Sequence, residues 1–104
     1  MAKAPPQDAL APVHPGEILL EDFLKPYDLT AYAAAQRLRI PRTRIERLTR
    51  CATPVTVDTA LRLARLFDTS PHFWMALQSR YDLAIAEQAT AELDAIEPIE
   101  RRVA

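Results

Sequence analysis

A single glycine in 104 residues is the tightest constraint on what this chain can fold into. An all-β protein needs glycine in its turns every few residues. Gly16 and nine prolines cannot supply that. Apolar residues recur instead at spacings of three and four, so the chain is expected to be all-α. A first helix is read from Pro15 to about Lys25, with Ile18, Leu19, Phe23 and Leu24 inward and Pro26 as its stop. Thr30 caps a second helix that ends near Leu38. Arg39 and Ile40 form a short turn, and Pro41 opens a third helix that runs to about Arg50. Thr56 caps a fourth, whose stripe reads Val57, Ala60, Leu61, Ala64 and Phe67. Ser70 and Pro71 open a fifth, with Phe73 or Trp74, Leu77, Tyr81, Ala84 and Ile85 as its apolar face. The expected division is a loose tail over 1–13, a five-helix domain over 14–89, and an acidic, partly ordered tail over 90–104.

Several classes of function fall away. Cys51 is the one cysteine, so an internal disulfide is excluded and a reducing compartment fits. No apolar run approaches the roughly 18 residues of a membrane span, and the start lacks the apolar core of a signal peptide. A cytoplasmic protein is expected. His14 and His72 have no cysteine or carboxylate at metal-ligand spacing. Cys51 lacks a histidine base nearby in sequence, and no glycine-rich phosphate loop is present. Glu17, Glu21 and Asp22 read as a solvated helix face. No enzyme, metal or cofactor is therefore expected.

The net charge is only −1, but it is unevenly spread. Between residues 37 and 50 stand six arginines (Arg37, Arg39, Arg42, Arg44, Arg47 and Arg50) against the single acid Glu46. The flanking stretches are both acidic. A focused basic patch inside an acidic chain is the footprint of a duplex reader. The same segment carries the core pattern of a helix-turn-helix. Two short helices crossing at a tight turn need a small residue on the first and large apolar residues on the second. Ala35, Leu38, Ile40, Ile45 and Leu48 meet that need. The third helix is left with a basic outer face suited to the major groove.

On these residues the chain resembles the HigA-type antitoxins, a branch of the lambda-repressor-like (Xre) helix-turn-helix family. The resemblance runs over about residues 13–86. It rests on His14-Pro15-Gly16-Glu17-Ile18-Leu19, on Leu29-Thr30 through Arg50, and on Thr56 through Ala64. Thr69-Ser70-Pro71-His72-Phe73-Trp74 and Leu77 through Leu83 complete it. It implies a compact lambda-repressor-like domain that dimerises, represses its own operon from a palindromic double-stranded operator, and neutralises a cognate toxin. That toxin is typically a RelE-like ribonuclease acting on messenger RNA. A stand-alone regulator of the same fold is the alternative. The family usually has glycine where this chain has Arg39 and Cys51, because those backbones tend to positive φ. A non-glycine there costs about 1 kcal/mol if the geometry is kept. A slightly strained turn or a longer third helix is expected.

Side-chain chemistry suggests the roles. Arginine's planar fork matches guanine O6 and N7, so Arg42, Arg44 and Arg47 are expected to read bases, with Thr43 on a thymine methyl or a phosphate. Glu46 either accepts from cytosine N4 or pairs with Arg42 or Arg50 on its own helix. The family is commonly neutral at that position, which implies a changed base preference here. Thr30, Tyr32, Gln36, Arg37, Arg50 and Thr53 are expected to grip phosphates. Trp74, Leu77 and Tyr81 are candidate dimer anchors. The N-terminal tail with the first helix, or the acidic segment Glu87 to Glu100, is a candidate toxin contact.

Overall fold

The computed structural model describes residues 11–101. The expected N-terminal tail therefore lies outside the described residues, apart from its last three. Five α-helices build the domain: α1 (Pro15–Ile18), α2 (Ala31–Leu38), α3 (Arg42–Thr49), α4 (Val57–Phe67) and α5 (Pro71–Ala89). A short 3-10 turn, Ala91–Ala95, follows. Among the described residues there is no strand. The side chains of Thr30, Thr56 and Ser70 accept the backbone N–H groups of Ala33, Thr59 and His72, which starts α2, α4 and α5 where expected.

The first helix is a correction to the sequence reading. Only Pro15–Ile18 is α-helical, and Leu19–Leu24 continues as a π-helix with wider turns. Residues five apart lie about 140° apart around an α-helix. The wider turn brings both Leu19 (0% exposed) and Leu24 (2%) against the core. The stripe of α4 is also rotated from the expected one. Ala60, Leu63, Ala64 and Phe67 face the core, while Val57 (62%) and Leu61 (55%) face outward.

Four connections close the same way. At Asp28, Arg39, Cys51 and Asp68 the backbone turns left-handed, with φ of 56°, 60°, 62° and 54°. The following N–H reaches back five residues: Leu29 to Leu24, Ile40 to Ala35, Ala52 to Arg47 and Thr69 to Ala64. This closure favours glycine. Aspartate tolerates it through its short polar side chain, whereas Arg39 and Cys51 have no such relief. Of the two expected outcomes, the strained turn is the one found, and α3 is not lengthened. Arg39→Gly and Cys51→Gly are each expected to stabilise the domain by about 0.5–1 kcal/mol. Thermal unfolding checks this, and a lowered midpoint in either variant would contradict it.

The lone glycine is used elsewhere. Gly16 is buried where α1 crosses the end of α3, and a Cβ there would overlap the Leu48 carbonyl. Close backbone approach, rather than a turn, demands glycine at this point.

His14 caps α1: its Nδ1 accepts the Gly16 N–H at 2.9 Å, and its ring meets Tyr81 edge-on. Burial pushes its pKa below the usual histidine value, with the Asp82 carboxylate and the Thr53 backbone acting the other way. Burial dominates. The folded state thus holds fewer protons than the unfolded chain, and stability is lost as pH falls below about 6.5. The loss of midpoint between pH 7 and pH 5 should shrink in His14→Asn, which can cap but does not titrate. An undiminished loss would show that another group is responsible.

Candidate nucleic-acid interface

The helix-turn-helix comprises α2, the turn through Arg39, Ile40 and Pro41, and α3. Ala34 and Ala35 are buried on α2, which packs on both α3 and α4. Methyl side chains at those positions allow the close crossing. On α3, Ile45 and Leu48 are fully buried and fix the rotation of the helix about its axis. At 100° per residue, Thr43, Arg47 and Arg50 then form the outermost ridge. All three are exposed, as is Arg42.

Three members of the expected base-reading set are tied: Arg42 and Glu46 to each other, and Arg44 to α4. Arg42 Nε lies 3.3 Å from Glu46 Oε2, one turn along the same helix. Of the two intrahelical partners expected for Glu46, Arg42 is the one it meets. Arg44 is on the flank facing α4, and its Nη1 donates to Asp58 Oδ2 at 2.6 Å. Arg62 Nε donates to the same oxygen at 3.0 Å. The hydrogen bonds from Arg44 and Arg62 hold the Asp58 carboxyl below the usual carboxylate range. Arg62 Nη1 in turn donates to the Leu38 and Arg39 carbonyls at 2.8 and 3.4 Å, capping the end of α2. Asp58 and Arg62 thus join α2, α3 and α4. Sequence reasoning missed the part that Asp58 and Arg62 play between the helices. Their four-residue spacing was the one available signal.

Apart from Arg50, which lies on the ridge, the expected phosphate set is spread around it. Thr30 Oγ1 accepts the Ala33 N–H, leaving its own hydroxyl proton free to donate. Gln36 Nε2 donates to the Tyr32 hydroxyl at 2.8 Å, pairing two exposed side chains on α2. Arg37 and Arg50 are exposed, and Thr53 is half-buried. Gln78 is a further residue that the periodicity missed. It is buried, and its Oε1 accepts the Val55 N–H at 2.7 Å, fixing the loop between α3 and α4.

Trp74 is a correction. It is 0% exposed in the single chain, packed on Phe23 and Phe73. Its indole N–H donates to Thr69 Oγ1 at 2.9 Å. A residue with no accessible surface cannot anchor a partner. Leu77 is half-buried against the same core, and Tyr81 is half-buried against His14. Among the described residues no cluster of histidine, cysteine and carboxylates could hold a metal. No helix there is long and apolar enough to cross a membrane.

A two-helix unit with a tight turn, alanines at its crossing and a basic ridge is a lambda-repressor-like helix-turn-helix domain. Known proteins agree. A Pseudomonas aeruginosa protein solved in complex with its 18-base-pair operator DNA superposes with a TM-score of 0.82 at 41% identity, covering 85% of this chain and 97% of its own. The Pseudomonas aeruginosa antitoxin HigA, solved with the higBA promoter, gives 0.81 at 41% identity, covering 86% and 99%. Virulence-associated protein I of Dichelobacter nodosus is 42% identical over 87 residues, 84% of this chain and 81% of its own. No family model matches the chain. The chain belongs to the HigA family of helix-turn-helix antitoxins.

Proposed function

We propose that this protein is the antitoxin and transcriptional autorepressor of a type II toxin–antitoxin operon. Residues 14–89 bind a palindromic double-stranded operator as a homodimer, and the chain neutralises a RelE-like toxin that cleaves messenger RNA. The observation that carries the reading is the basic ridge of α3 standing clear of a fully packed helix-turn-helix core. Arg47 and Thr43 sit on that ridge, and Arg42 flanks it within reach of base edges once it leaves Glu46. Arg44, held by Asp58, reads a base only if it releases that carboxylate. Thr30, Tyr32, Gln36, Arg37 and Thr53 surround the ridge, and Arg50 stands at its C-terminal end, as phosphate contacts, which position without specifying. The acidic segment from Glu87 to Glu100 is the candidate surface for a basic ribonuclease.

The test is a titration against the duplex upstream of the gene, beside a scrambled duplex, at several salt concentrations. Specific binding should exceed non-specific by at least about 10³-fold. Equal, weak binding to both duplexes refutes the repressor reading. Capture of the neighbouring gene's product then separates an antitoxin from a stand-alone regulator.

The Asp58 contact makes a separate prediction. Asp58→Asn releases Arg44 to the phosphate backbone, so binding to scrambled duplex should strengthen. The slope of log K against log salt should steepen by about 0.9. An unchanged slope would show that Arg44 is not held back by Asp58.

A further inference from the structure

Two aliphatic side chains on α4 face solvent. Val57 and Leu61, four residues apart on one face, are 62% and 55% exposed, while the opposite side of the helix carries the core residues Leu63 and Phe67. Beside them lies an open hollow of about 230 Å³ lined by Leu61, Ala64, Arg65, Asp68, Thr69 and Pro71. Its rim carries one positive and one negative residue, Arg65 and Asp68. Both are exposed, and neither is in an ion pair among the described residues.

We infer that this face, Val57 and Leu61 with the Arg65 and Asp68 rim, is where a second copy of the chain docks across a two-fold axis. The inference rests on the dimeric operator-binding reading above and names the surface that achieves it. A two-fold interface uses the same patch on both copies and must complement itself. An apolar centre with one charge of each sign at its edge does so: Arg65 of each copy faces Asp68 of the other, and the leucines meet between them. A patch meant for a strongly basic or acidic partner would instead carry one sign. Position supports the same occupant. The Arg44–Asp58 ion pair ties the start of α4 to α3, so two copies joined through α4 hold their two recognition helices rigidly relative to each other. A dimer reader requires this, with its helices about 34 Å apart. Trp74, buried in its own core, cannot serve.

The test measures the mass of the full chain by sedimentation, free and on the upstream duplex. Wild type should run at twice its 11.7 kDa chain mass. Leu61→Asp should run as a monomer, keep its helical circular dichroism, and lose operator affinity by about 10²-fold or more as the second helix ceases to be tethered. Asp68→Arg should weaken the dimer at least tenfold, and the double exchange Arg65→Asp with Asp68→Arg should restore it. The exchange decides alone if Leu61→Asp does not fold. A dimer that survives both single changes overturns the proposed surface and leaves the dimeric reading standing. The same result with loss of the neighbouring gene's product assigns the face to that partner and also overturns it. A wild type that is monomeric both free and on DNA overturns the surface and the dimeric reading together.

Discussion

Replacing Arg42 and Arg47 together by alanine is expected to lower affinity for the upstream duplex by about 10²- to 10⁴-fold, since each arginine fork on a guanine is worth about 1–3 kcal/mol. Affinity for scrambled duplex should fall far less, so the ratio between the two duplexes should collapse. Fold stability should barely change. Arg47 is exposed and is in no ion pair among the described residues, and the Arg42–Glu46 contact is a half-exposed pair within one helix. Gel shift or anisotropy titration on both duplexes, beside a melting curve, makes the comparison. If both duplexes weaken by the same factor, the two arginines are phosphate grips and base readout lies elsewhere on α3. Arg44→Ala is not an equivalent change, because it also removes a contact between α3 and α4.

The second large effect concerns Trp74. Trp74→Ala should destabilise the domain by about 3–5 kcal/mol, the usual cost of removing a large buried aromatic side chain. The indole closes a cluster in which Phe23 meets Phe67, Phe73 and Trp74 with ring centroids 5.0, 6.1 and 4.9 Å away. The cavity would sit where the π-helical segment, α4 and α5 join. Small domains have about 5–15 kcal/mol in all, so the thermal midpoint should drop by more than 10 °C. Trp74→Phe separates the two parts of the role. It keeps most of the packing but leaves the Thr69 hydroxyl without its donor, and about 1 kcal/mol should be lost. A dimer anchor would behave otherwise, its loss growing as the protein is diluted. A midpoint deficit independent of concentration is the expected result.

The helix-turn-helix was legible because its signals are local. Thr30 and Thr56 cap through side chains that reach three residues along the chain, and Ser70 through one that reaches two. Ile45 and Leu48 can share only one face of an eight-residue helix, so the exposed ridge of α3 followed from them alone. The strain at Arg39 and Cys51 was legible only through the family resemblance, which puts glycine at those two positions; Asp28 and Asp68 turn left-handed as well and carried no such signal. α4 was misread because both of its faces are apolar. Ala60, Ala64 and Phe67 fit a stripe with Val57 and Leu61 as well as one with Leu63, and periodicity has no means of choosing. Phe73 and Trp74 posed the same problem on α5.

The sequence by itself thus determined an all-helical chain, its helix starts, and a basic third helix with one free face, because those properties depend on residues within a turn or two of one another. Only the tertiary structure decided the other features. It placed Trp74 inside and Leu61 outside, bound Arg44 to Asp58 fourteen residues away, set Arg62 over the end of α2, and seated the lone glycine against Leu48. Each of these depends on which helix lies beside which, and that is settled by how the whole apolar surface is best buried at once.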